Sequence, residues 1–169
     1  MAANYLEQLL AEWYEYQGYF IRRNVWVGKR EKGGYECELD IVAFHPGKKH
    51  LLQVEPSSDA DSWAKREERY ARKFLAGRKY IPELFKDFEA KGPIDQIAVF
   101  VSASKQNRQS LAGGRIVLAS EILVDILKEL RSSSIFSSAV SEQYPILRTL
   151  QFVCEYRKRV VRVLQSGSS

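Results

Sequence analysis

Leu6, Leu9, Leu10, Trp13 and Tyr14 recur at helical spacing and predict an amphipathic helix over 4–17, with Gly18 where a helix-ending residue belongs. A strand is expected over 19–28, then a charged turn closing on Gly33-Gly34. Two further strands follow, over 36–44 and 50–57. Successive side chains of an extended chain point to opposite faces. Cys37, Leu39, Ile41 and Ala43 are therefore expected on one apolar face, with Glu36, Glu38 and Asp40 on the other. In the next strand Leu51, Gln53, Glu55 and Ser57 share a face opposite Leu52 and Val54. The connecting loop is hairpin-sized, so the two strands should pair antiparallel, with Asp40 and Glu55 side by side at neighbouring ends.

After the polar break at 57–61, Ser62 can cap a helix bearing the stripe Trp63, Glu67, Tyr70 and Phe74. Its end is expected near Gly77, before a separate shorter helix over 81–90 with Leu84, Phe85 and Phe88. Residues 94–101 are nearly all apolar after Asp95 and Gln96, as in a central strand covered on both faces. A polar loop with a short helix is expected over 102–114, a fifth strand over 115–119 and a helix over 122–131. A serine-rich break at 132–138 precedes a helical segment at 144–164, in which Leu150, Val153, Cys154, Val160, Val161 and Leu164 should be buried. Strands mixed with helices in this order predict an α/β protein, its central mixed sheet of about five strands flanked by helices. The expected organisation is one domain over 1–131, a helical extension over 132–165 packed on it, and a disordered tail at 166–169. No internal repeat is visible.

Composition narrows the class. With 169 residues and 45% hydrophobic content the chain has enough apolar material for a proper core and is not of disordered composition. No apolar run approaches the ~20 residues of a membrane span. The acidic N-terminal helix does not read as a secretory signal. Cys37 and Cys154 form no metal or redox spacing, which fits reduced thiols in a cytoplasmic protein. The net charge of +5 is concentrated: residues 65–79 carry seven Lys or Arg against two Glu, and Arg157, Lys158, Arg159 and Arg162 stand against Glu155. Two basic helices form an electrostatic footprint for a phosphate backbone, or merely two solvated faces.

The chemistry lies in the acidic strands. Two carboxylates placed side by side repel unless a cation, a proton or a basic side chain lies between them. A divalent-metal site is the first reading, and an ion pair of Glu55 with Arg22 or Arg23 is the competing one. Ser57 and Ser58 have no His or Asp at triad-like spacing, and His45 and His50 flank a turn.

The helix with Glu7, the run Glu38-Leu39-Asp40-Ile41-Val42-Ala43 and the run Leu51-Leu52-Gln53-Val54-Glu55-Pro56-Ser57 together resemble the PD-(D/E)XK nuclease superfamily, over 4–120. The resemblance implies an αβββαβ restriction-endonuclease-like core and a Mg²⁺-dependent endonuclease acting on DNA, with Mn²⁺ able to substitute and a homodimer as the working form. It implies that Asp40, Glu55 and the Pro56 carbonyl hold the ion, that Glu7 orients a water or a second ion, and that Glu38 supports them. One departure stands out: where the family places its catalytic lysine, this chain has Ser57. Members of the superfamily relocate that lysine, and on a helix turning ~100° per residue Lys73 lies on the edge that skirts the sheet. Lys73 is thus the expected charge stabiliser, with Gln53 as a neutral stand-in, and Arg66, Arg69, Arg72 and Lys73 the expected nucleic-acid contacts. The alternatives are a decayed site on a DNA-binding module, or a protein-interaction domain.

Overall fold

The β-rich third of the chain forms the three expected strands, with its alternation broken once, around Asp40. The computed structural model describes residues 4–102 and 108–166. Helix α1 (Tyr5–Tyr16) is capped by the Asn4 side chain, which accepts from the Leu6 N–H. Strands β1 (Phe20–Lys29), β2 (Tyr35–His45) and β3 (His50–Ser57) form an antiparallel meander. Helix α2 (Trp63–Leu84) crosses over to β4 (Asp95–Phe100), parallel to β3. Strands β5 (Ser110–Leu111) and β6 (Gly114–Leu118) complete a six-stranded mixed sheet in the order β1-β2-β3-β4-β6-β5. The protein is therefore α/β, with an open mixed sheet flanked by helices. The sixth strand, β5, lies in the stretch expected to be a loop, because two residues opposite Gly114 and Arg115 carry too little pattern to register. The short helix expected within 102–114 falls largely on residues outside those described, as does the tail beyond residue 166.

By contacts the chain divides into two compact units, Met1–Ser120 and Glu121–Ser169. In the first, Ala76 and Ile81 of α2 and Phe85 just after it cover Val42, Phe44 and Leu51. Cys37 and Leu39 belong to this same cluster, although strict alternation puts them opposite Val42. The sides exchange around Asp40, which faces Asn24 between the pairs Arg23↔Ile41 and Val25↔Leu39. Asn24 has φ +50°, a left-handed conformation that strengthens the local twist.

Helix α2 corrects two expectations. It does not stop at Gly77, and no separate helix begins at residue 81: one helix of 22 residues runs from Trp63 through Pro82 to Leu84. Gly77 serves approach rather than termination. A Cβ there would lie 1.8 Å from the side-chain oxygen of Gln53, so only glycine lets α2 lie this close to β3.

The second unit contains α3 (Ala119–Leu130) from Glu121 onward, α4 (Pro145–Glu155) and α5 (Arg157–Gln165). Gln151 ties the serine-rich segment to α4, accepting from the Val140 N–H and donating to the Ser138 carbonyl and the Ser133 hydroxyl. The single late helix expected over 144–164 is broken at Tyr156, and α5 buries no residue. Val161 and Leu164, expected inside, are exposed. None of the described helices is long and apolar enough to cross a membrane.

Candidate functional site

The antiparallel register places Ile41 opposite Val54, so Asp40 and Glu55 are the next pair along β2 and β3. Their carboxylates converge. The Asp40 N–H donates to Glu55 Oε2 at 3.3 Å, and both carboxylates meet one ammonium. Lys73 Nζ, from the middle of α2, donates to Asp40 Oδ1 at 2.6 Å and to Glu55 Oε2 at 2.5 Å. The three line a cleft of about 260 Å³ together with Pro56, Ser57 and Arg69. Glu55 is thus paired with Lys73, while Arg23 donates to Gln8 on α1 instead.

Glu55 is 1% exposed, and burial pushes its carboxyl well above the ordinary carboxylate range despite the pull of Lys73. Burial also opposes the Lys73 charge, but Glu55 and Asp40 outweigh it and hold the ammonium above the usual lysine value. Both shifts retain protons, as expected where two acids share a single cation. The Glu55 backbone is fixed from below by Tyr70, whose hydroxyl donates to its carbonyl at 3.0 Å.

The remaining expected residues divide clearly. Gln53, fully buried, donates to Glu55 Oε1 at 2.8 Å. Glu7 is half-buried on α1, and burial followed by the Asp40 charge raises its carboxyl, which places it within electrostatic reach of the cluster. Glu38 is half-buried opposite Trp26; among the described residues it neither lines the cleft nor bonds to it. Arg72, one residue before Lys73 on α2, is exposed and does not line the cleft. Arg66, expected at a phosphate, is 3% exposed, donates to the Asp59 and Ser102 carbonyls, and lies over the Trp63 and Phe100 rings. A guanidinium so enclosed braces the β3–α2 connection and has no free face for a phosphate.

Arg69 reaches the cleft from one turn before Lys73. It donates to Asp59 Oδ2 at 2.6 Å, to Asp61 Oδ2 at 3.2 Å and to Ser57 Oγ at 3.2 Å. Ser57, standing where the resemblance would put lysine, itself donates to Asp59. The sequence did not mark Asp59, Tyr70 or Gln96 as residues of the site. Gln96 left a signal, an amide at the head of an apolar strand, and Asp59 left only its place two residues past Ser57.

Asp59 gives a prediction from this arrangement. Burial alone would raise its carboxyl, but the Ser57 hydroxyl, the Asp61 N–H and Arg69 bring it down to about 2. A carboxyl lowered on folding stabilises the folded state above its unfolded value of about 3.9, and that stability is lost as pH falls through about 2. After screening at a site open to solvent, Asp59→Asn should cost about 1 kcal/mol at pH 6 and almost nothing near pH 2. Thermal melts of both proteins across that range check it; a constant difference would refute it.

No family model, no curated protein and no solved structure matches the chain. Among the described residues no group of three or more His, Cys, Asp or Glu side chains is placed to hold a metal ion. What the cleft offers is three carboxylates, Asp40, Asp59 and the deeply buried Glu55, and two cationic side chains one helical turn apart.

Proposed function

We propose that the chain is a divalent-metal-dependent endonuclease hydrolysing DNA phosphodiester bonds, of the PD-(D/E)XK kind. The observation that carries this reading is the convergence of Asp40 Oδ1 and Glu55 Oε2 on a single cation, the Lys73 ammonium, at 2.6 and 2.5 Å. Oxygens already gathered around one positive charge suit a hard ion. Mg²⁺ is commonly held by only one or two carboxylates, with waters and substrate phosphates completing its shell. Asp40 and Glu55, with the Pro56 carbonyl, would hold it; when bound it lowers the pKa of a water and neutralises phosphate charge.

The chain's own residues do the rest. Gln53 and the Asp40 N–H hold the Glu55 carboxylate in place. Lys73, once a cation has replaced it between the acids, is long enough to turn to a phosphate in the same cleft. Arg69 and the exposed Arg72 extend the positive face of α2 along which a phosphate backbone can run. Glu7, on α1 and within reach of the Asp40 charge, is the group to orient an attacking water.

A second reading has its own support. With Ser57 in the lysine position and Lys73 already neutralising both acids, the cleft also suits a DNA-binding module that no longer cuts. Calorimetric titration of Mn²⁺, alongside cleavage of plasmid and branched DNA with Mg²⁺ or Mn²⁺, separates the two. Nuclease function requires one ion bound by the wild type, lost in Asp40→Ala together with cleavage. Salt-sensitive DNA binding that Asp40→Ala leaves intact, with no ion bound and no cutting, would establish the binding module instead.

A further inference from the structure

Behind Glu55 a row of amides runs away from the cleft, and its direction is fixed. Gln53 and Gln96 are register partners on the parallel strands β3 and β4, and both are buried, at 0% and 6% exposure. Arg78, on α2, donates through Nη1 to Gln96 Oε1 at 2.6 Å. Gln96 Nε2 donates to Gln53 Oε1 at 2.6 Å and to the Phe74 carbonyl at 2.8 Å. Gln53 Nε2 donates to Glu55 Oε1 at 2.8 Å and to the Lys73 carbonyl at 3.2 Å. An isolated amide can be turned end for end, but this pair cannot. A guanidinium only donates, so Gln96 must offer it oxygen. Turning Gln96 would set its oxygen against the Phe74 carbonyl. Turning Gln53 would set an oxygen against Glu55 and the Lys73 carbonyl together.

We infer that Gln96, oriented by Arg78, is a positioning residue for Glu55: the N–H it offers Gln53 Oε1 favours the same direction of the Gln53 amide as Glu55 and the Lys73 carbonyl do, so that Glu55 Oε1 meets an N–H and Oε2 alone is presented to a cation, whereas an acceptor in its place would oppose that direction. The inference rests on the metal-dependent reading of the cleft and assigns that site a polar support its lining residues do not include. Groups that hold a ligating carboxylate from behind commonly alter metal affinity 10–100-fold when changed.

Gln96→Glu tests the direction of the row rather than its shape. Glutamate is isosteric and still accepts from Arg78, but it has no N–H for Gln53, whose amide must turn and bring oxygen to Glu55. Gln96→Met removes donor and acceptor alike and leaves Gln53 held by Glu55 and the Lys73 carbonyl. Titrating Mn²⁺ into each full-length protein, with thermal melts in parallel, should give at least tenfold weaker binding for Gln96→Glu and a change within about threefold for Gln96→Met. Equal effects of the two substitutions, or none from either, would overturn the inference while the wild type's own binding of Mn²⁺ left the nuclease reading standing. A wild type that binds no Mn²⁺ sinks both. Should Gln96→Glu fail to fold, side-chain amide NMR of the wild type decides. Mg²⁺ should shift the Gln53 and Gln96 NH₂ signals together, and a stationary Gln96 signal during saturation of the cleft would refute the coupling.

Discussion

Replacing Lys73 by methionine is expected to tighten Mn²⁺ binding at least tenfold and to abolish cleavage. The two effects run in opposite directions because the ammonium has two places to be. In the free protein Nζ lies between Asp40 and Glu55, the position a divalent ion would claim, so every binding event must displace it. Two unit charges 4 Å apart near a protein surface interact by about 4 kcal/mol. An ion of double charge entering beside an undisplaced ammonium meets more than that. Tenfold in affinity is only 1.4 kcal/mol, so relieving a third of the repulsion is enough. Methionine also leaves the two carboxylates without a counter-charge, which further favours an incoming cation. Cleavage, in contrast, then lacks the cation that, among the described residues, contacts both acids and could pass to a phosphate, since Arg69 is tied to Asp59 and Asp61. Calorimetry with Mn²⁺ and a plasmid nicking assay read the two effects separately. An affinity equal to or below that of the wild type would show that the ammonium and the ion do not compete for one place.

What the chain disclosed in advance and what it concealed have physical causes. Asp40 and Glu55 were legible because strand alternation and a short hairpin loop fix register, and register alone makes them neighbours. Lys73 was legible only through an absence, the serine at position 57, combined with helical geometry that sends one edge of α2 toward the sheet. The burial of Arg66 was not legible, because helix periodicity places a side chain on a face but does not say whether an aromatic pocket lies there; Trp63 and Phe100 supply one. The amide row was hidden for a related reason. Gln53 and Gln96 are 43 residues apart, and only the parallel pairing of β3 with β4 makes them partners. Val161 and Leu164 promised burial by their spacing, yet a helix break at Tyr156 leaves α5 exposed, with Val163 and Leu164 each at 72%.

Gly77 combines a misread signal with a large expected effect. In sequence it resembles a helix stop; in the fold it sits inside α2, facing the pinned amide of Gln53. Alanine at this position would ordinarily stabilise a helix by about 1 kcal/mol. Here its Cβ falls 1.8 Å from Gln53 Oε1 and 2.6 Å from Cδ. A side-chain end normally swings aside at little cost, but this one is fully buried and hydrogen-bonded to Gln96, Glu55 and the Lys73 carbonyl. Moving it strands buried donors and acceptors at about 1–3 kcal/mol each. Gly77→Ala should therefore destabilise the protein by about 3 kcal/mol, lowering Tm by roughly 6–12 °C for a chain of this size. Gly92, whose added Cβ meets nothing within 4 Å but whose φ is +77°, provides the control, for its alanine variant suffers backbone strain alone. A Gly77→Ala protein melting at or above the wild-type temperature would mean that α2 and β3 can separate without cost, and the rigidity attributed to the Glu55 support would go with it.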